Sequence, residues 1–188
     1  GTGTIAFGYK GGIGTASRMV PKKSGGYTVG VLVQANFGGI LTLNGFNLAR
    51  ELGRIPDSYK QDTDGSCMMV VITDAPLSAR NLKRLARRCM LGLARPGGIA
   101  SNRSGDYVIA VSTDEKVRIK HTPDGWLSGG TTVHNDFMSP LFLAAVEATE
   151  EAIWNALFAA EEMQGFKGYR AEALPVRSVL EILGNPKD

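Results

Sequence analysis

The chain has 188 residues, of which 43% are apolar and 21% charged, with a formal charge of +3. That length and balance suit one globular domain with a sizeable core and exclude a disordered or low-complexity chain. The small charge, with no long basic run, argues against nucleic acid as a partner, and no run of about eighteen apolar residues is present to span a bilayer.

The opening Gly1-Thr2-Gly3-Thr4 leads directly into Ile5-Ala6-Phe7 and reads as the interior of a longer protein, with no leader-like basic and apolar segments. The run GYKGGIG holds four glycines between Gly8 and Gly14 and predicts a loop that turns sharply or approaches other backbone closely. From Tyr27 to Ala35 the β-branched run YTVGVLVQA predicts a buried strand, with a second strand at Ile40–Leu43 closing a hairpin over Gly38-Gly39. The polar stretch from about Arg50 to Gly65 predicts an exposed loop.

Cys67–Thr73 (CMMVVIT) predicts another apolar strand. A helix is expected from Ser78, a good N-cap, with Leu82, Leu85, Ala86, Cys89 and Leu93 on one face, until Arg95-Pro96-Gly97-Gly98 stops it. Lys83, Arg84, Arg87 and Arg88 lie on that helix and read as its solvated face. Strands are expected at Tyr107–Val111 and Val117–Lys120, the longest helix over Pro140–Met163, and a last one over Val176–Leu183. Long helices beside a hairpin predict an α+β layered domain spanning residues 1–188 rather than a doubly wound parallel sheet.

The chemistry-bearing residues are sparse. Two histidines, His121 and His134, and two separated cysteines, Cys67 and Cys89, make no metal-ligand set, so neither a metal nor another cofactor is expected. The cysteines sit in apolar stretches and read as buried free thiols, which suits a cytoplasmic setting, with a periplasmic one as the alternative. GYKGGIGTAS is neither a P-loop nor a dinucleotide fingerprint, and no G-x-S-x-G elbow supports a Ser-His-Asp hydrolase. A serine at the start of a strand, after a polar linker, offers another route. If the bond before Ser104 is cut, its freed α-amine, with an ordinary pKa of about 7.7–8.0, serves as general base to its own hydroxyl. Taken alone, Ser104 also reads as a turn serine.

Several stretches resemble one family in the same order along nearly the whole chain: FGYKGGIGTASR, GYTVGVLVQANFG, VVITDAPL, LKRLARR, GLAR, SGDYVIAVST and LFLAAVEATEEAIWNAL. They are similar to the DmpA/BapA family of L-aminopeptidase/D-esterases and β-peptidyl aminopeptidases. The resemblance implies an αββα-layered fold of the self-processing N-terminal-nucleophile type. It places the cut between Arg103 and Ser104, giving residues 1–103 as the C-terminal part of an α chain and residues 104–188 as a β chain. It implies release of N-terminal residues from small peptides, amides or esters through an acyl-enzyme on Ser104, and a homo-oligomeric assembly.

By the same resemblance, Asn36 is the oxyanion asparagine and Glu147 a glutamate supporting the nucleophile, while Gly11, Gly12, Gly14 and Asp106 shape the site. The residues alone leave Asn36 open as a turn cap and Glu147 as a solvated helix glutamate beside Glu150 and Glu151. The chain departs from the family in three respects: the family is longer, Arg103 stands where small or amide residues are usual, and Ala145 stands where several members carry a hydroxyl. Acyl transfer of the ornithine-acetyltransferase type and a non-catalytic family member are the rival readings, with a nucleotide-binding module behind them.

Overall fold

A computed structural model of the chain describes residues 2–55, 65–119, 121, 125 and 130–184. Among these residues the strands, in chain order, are β1 (Ile5–Ala6), β2 (Tyr9–Lys10), β3 (Gly12–Met19), β4 (Thr28–Asn36), β5 (Thr42–Leu43), β6 (Phe46–Asn47), β7 (Ser66–Thr73), β8 (Tyr107–Ser112), β9 (Met163–Gln164) and β10 (Arg170–Ala171). The α-helices are α1 (Leu48–Glu51), α2 (Ala79–Ala94), α3 (Ser139–Phe158) and α4 (Val176–Gly184). Four strands form the main sheet in the order β3-β4-β7-β8, antiparallel except for the parallel pair β7-β8. The other six pair as short two-stranded ladders.

Alternation sets the two faces of the sheet. In β4, Val29, Val31, Val33 and Ala35 turn inward, and in β7, Cys67, Met69, Val71 and Thr73 do so. Helices α2 and α3 lie side by side on this inner face and enclose the core with it. Ser78 caps α2, its Oγ accepting the Asn81 N–H. The α+β class expected from the sequence is therefore met, with one helix layer on one sheet among the described residues.

The glycine run is not a loop as expected. It continues into β3, because Gly12 and Gly14 face α3 and leave room for its backbone. A Cβ on Gly14 would overlap the carbonyl oxygen of Ala152 and the amide nitrogen of Ala156. Along α3 the facing residues are correspondingly small: Ala145, Ala148, Ala152 and Ala156 are all buried. A further glycine, Gly92, lets α2 approach α3 at Val146 and Thr149.

Other expectations shift as well. No hairpin forms over Gly38-Gly39. The chain instead runs along the end of α2, with Gly39 bridging Gly98 and Ile40 and Thr42 donating N–H groups to Gly97 and Pro96. Val117 lies in a short 3-10 turn rather than a strand, and Lys120 falls outside the described residues. The long helix stops at Phe158, and Met163 pairs in β9. Most of the polar stretch before Gly65 also lies outside the described residues.

The outer face of the sheet is apolar and open. Ile13 on β3, Leu32 on β4, Met68 and Ile72 on β7, and Tyr107 and Ile109 on β8 are all exposed, Tyr107 to 63% and Ile109 to 54%. β8 thus carries one exposed face, with Val108 and Ala110 turned toward the helices.

Because Gly14 touches backbone that no side-chain rotation can clear, Gly14→Ala is expected to cost on the order of 2–3 kcal/mol. Urea denaturation would read this as a fall in the midpoint, and an unchanged midpoint would mean that α3 is not held this close.

Candidate active site

One end of the sheet gathers most of the residues that the sequence singles out. Here β3 begins, β4 ends and β7 begins: Gly12 pairs with Ala35, and Asn36 with Ser66. A Cβ on Gly11 would overlap the Ala35 carbonyl oxygen, so glycine is required for this approach, and its N–H donates to the Thr4 carbonyl at 2.8 Å. Gly14 lies further along β3, under α3, and acts on helix packing rather than on this end.

Asn36 is oriented. Its Oδ1 accepts the N–H of Ile5 at 2.9 Å, so the amide is turned with its two Nδ2 hydrogens as the donors available elsewhere. Asn36 lines a cleft of about 280 Å³ together with Thr2, Thr4, Gln34, Ser66 and Met68.

Ser104 is brought to the same end by the residues that follow it. Gly105 donates its N–H to the Gly65 carbonyl at 3.3 Å. Asp106 Oδ1 accepts the N–H of Cys67 at 2.9 Å, taking the place of a backbone acceptor just before the β7-β8 ladder begins at Met68 and Tyr107. A Cβ on Gly105 would stand 3.4 Å from Ser66 Oγ. Gly105 and Asp106, the two residues after Ser104, are thus fastened to Gly65 and Cys67, at the sheet end where Asn36 lies. The Cys67 thiol is pushed up to about 12 by burial, then by the Asp106 carboxylate and by Cys89, so it stays protonated and inert at neutral pH.

Immediately before Ser104 the backbone forms a tight turn, its N–H donating to the Ser101 carbonyl at 2.9 Å. Arg103, third residue of that turn, has φ +76°. Positive φ at this place suits glycine or asparagine and costs other residues on the order of 1 kcal/mol. Arginine at this place therefore carries backbone strain that glycine would not.

Glu147 is placed elsewhere. It lies on α3 and pairs with Arg18 at 3.2 Å; Arg18 also pairs with Glu151. Arg18 is six residues along β3 from Gly12, roughly 20 Å toward the opposite end of the sheet. The structure therefore does not bring Glu147 to Ser104. Ala145 is fully buried on α3, its carbonyl accepting the Thr149 hydroxyl at 2.7 Å. His134 caps a 3-10 turn, and both it and His121 are exposed.

Two residues here escaped the sequence reading. Ser66 reads as the last polar residue before a strand, and only its pairing with Asn36 and its place beside Gly105 distinguish it. Lys10 is buried, with Nζ 2.7 Å from the Gly11 carbonyl oxygen, and burial lowers its pKa. The only signal for it was its position inside the glycine run.

Replacing Arg103 by glycine is expected to raise the stability of the uncleaved protein by about 1 kcal/mol, since glycine takes positive φ without strain. Chemical denaturation of Arg103→Gly in a Ser104→Ala background would measure this; a loss of stability would show that the arginine side chain contributes more than the turn costs.

The sequence profile of peptidase family S58 matches residues 1–171. A β-peptidyl aminopeptidase BapA from Sphingosinicella microcystinivorans is 40% identical over 198 aligned residues, covering 97% of this chain and 50% of that protein. Among solved structures, a protein from Pyrococcus horikoshii OT3 superposes with a TM-score of 0.87 at 43% identity, over 98% of this chain and 50% of the other. The L-aminopeptidase D-Ala-esterase/amidase from Ochrobactrum anthropi, a serine aminopeptidase described as a variant of the Ntn-hydrolase fold, superposes at 0.81 with 38% identity, over 97% of this chain and 51% of the other. The chain spans about half the length of these relatives. With the family profile matching most of its length and relatives near 40% identity, the chain belongs to peptidase family S58 and has the fold of its Ntn-hydrolase aminopeptidases.

Proposed function

We propose that this chain is part of a self-processing aminopeptidase or amidase whose nucleophile is Ser104. The observation that carries the reading is the fastening of Gly105 and Asp106, next after Ser104, to the start of β7, at the sheet end where the Asn36 amide is oriented. A nucleophile needs a fixed position relative to the donor that receives the developing negative charge, and these bonds supply it.

In processing, the Ser104 hydroxyl attacks the Arg103 carbonyl carbon. A C–O bond forms, the Arg103–Ser104 C–N bond breaks, and the hydroxyl proton ends on the departing amine. Water then hydrolyses the ester, leaving residues 1–103 with a new carboxylate and residues 104–188 with a free α-amine. In turnover that amine, in its neutral form, takes the proton from the same hydroxyl as it attacks a substrate carbonyl. Asn36 Nδ2 donates to the oxyanion, the leaving amine departs protonated, and water releases the acyl group.

Supporting this reading, the relatives are β-peptidyl aminopeptidases and a serine aminopeptidase. The substrates would be small peptides or amides with a free N-terminus. Transfer of the acyl group to an amine acceptor is the less favoured outcome. Gly11 lets the chain lie close against the Ala35 carbonyl behind Asn36, Gly12 faces α3 at Ala156, and Glu147 acts at a distance by fixing α3 to β3 through Arg18. The open apolar face of the sheet is buried in the assembled, oligomeric enzyme, in a reducing cytoplasm that keeps Cys67 and Cys89 as thiols and without nucleic acid as a partner.

Intact mass and N-terminal sequencing of purified protein test the processing step. Wild type is expected to yield a chain beginning Ser-Gly-Asp, and Ser104→Ala to remain whole. A folded wild type that stays whole would sink the proposal. Asn36→Ala is expected to slow turnover of a small amide by about 10²–10³-fold; a change under tenfold would remove Asn36 from the oxyanion role.

A further inference from the structure

Asp106 carries an acceptor that the processing scheme has not used. Oδ1 is engaged by the Cys67 N–H, which stops the carboxylate from swinging away. Oδ2 is shut off from solvent and meets no hydrogen-bond donor among the described residues. A buried carboxylate oxygen without a donor is costly, and the natural remedies are a hydrogen bond or a positive charge close by.

Self-cleavage creates such a group two residues away. Before the cut, Ser104 nitrogen has one hydrogen, and it donates to the Ser101 carbonyl. After the cut the same nitrogen is an α-ammonium with three hydrogens, so two further donors need acceptors at this place. Gly105 separates the two residues and, having no Cβ, lets the chain bring the Ser104 nitrogen toward the Asp106 side chain.

We propose that Asp106 is a positioning residue: its Oδ2 receives the α-ammonium of Ser104 once the chain is cut. The inference rests on the processing reading above. It gives the freed terminus a fixed direction, with one hydrogen on Asp106, so that on losing a proton its lone pair is presented to the Ser104 hydroxyl rather than turning freely. It also sets the pH at which the base becomes available. A carboxylate beside the ammonium favours the charged form, so the amine pKa lies above the ordinary range of about 7.7–8.0.

Among the described residues, the other charged or titratable groups at this sheet end begin with the Tyr107 phenol on β8, whose ring lies 3.0 Å from where a Cβ on Gly105 would stand. On β7 the Cys67 thiol, pushed up to about 12, stays neutral throughout the relevant range. On β2, Lys10 is a buried cation held by the Gly11 carbonyl. Arg103 contributes its guanidinium and, after cleavage, a carboxylate of its own. From β4 and β7 the facing side chains Asn36 and Ser66 carry no charge.

The test is the titration of the Ser104 α-amine in processed protein, followed by NMR after labelling as the ¹³C-dimethylamine, in wild type and Asp106→Asn. Asparagine keeps an oxygen for the Cys67 N–H and removes the charge. The wild-type midpoint is expected above 8.0, and that of Asp106→Asn lower by about one unit. The acid limb of kcat/KM should move to lower pH in step, which loss of a merely structural contact would not produce. A wild-type midpoint at or below the ordinary range overturns the inference even if the variant fails to fold, and so does a midpoint unchanged by Asp106→Asn. Protein that folds and remains uncut by mass overturns the processing reading and this inference with it, a failure distinct from an unmoved midpoint.

Discussion

The close approach of α3 to β3 is the constraint on which the rest of this chain depends. Glycine at position 14 and alanines at 152 and 156 allow helix and strand backbones to meet, and the sheet is thereby pressed against a helix layer on one face. With α3 seated, Gly92 lets α2 settle beside it, and the turn that ends α2 holds the chain leaving β4. The end of the sheet where β4 finishes and β7 begins is thus braced by backbone rather than by long side chains, which is how a fold can keep a reacting centre in place.

At that end the chain solves a local problem in hydrogen bonding. Before its ladder to β7 begins, β8 has no backbone acceptor for the Cys67 N–H, and the Asp106 carboxylate supplies one. The same residues carry Ser104 to the end of the sheet and leave one carboxylate oxygen over. The turn upstream places a non-glycine residue at positive φ directly before the proposed scissile bond. Packing and strand initiation at this end therefore depend on a few neighbouring residues, which a change to any one of them should disclose. The other face of the sheet is different in kind: apolar and uncovered here, in a chain half as long as its relatives.

How much of this was legible beforehand followed from the physical signal available. β4 and β7 announced themselves because β-branched and apolar residues alternate across an inner and an outer face. The stripe on α2, its Ser78 cap and its Pro-Gly stop were equally local and were met. β3 was not legible, since glycines that in isolation favour a loop are selected here by the approach of a helix more than a hundred residues later. Gly38-Gly39 carried a hairpin signal, but the tertiary bridge to Gly98 took that segment instead. At the candidate site, Ser104 and Asn36 were singled out through family resemblance, and the structure brings both to one sheet end. Glu147 came from the same resemblance and sits by Arg18, far along β3. The positive φ of Arg103, the pairing of Ser66 and the leftover oxygen of Asp106 arise from tertiary contacts and leave no pattern in the sequence.

Hydrogen exchange at the backbone amide of Cys67 measures most directly whether Gly105 and Asp106 are fastened to the start of β7. The account predicts slow exchange in the folded wild type and strongly accelerated exchange in Asp106→Ala, with the amides of Val71 and Val33 at the sheet centre little changed. Exchange at Cys67 as fast as in an exposed loop, or protection that survives the loss of the carboxylate, would contradict it.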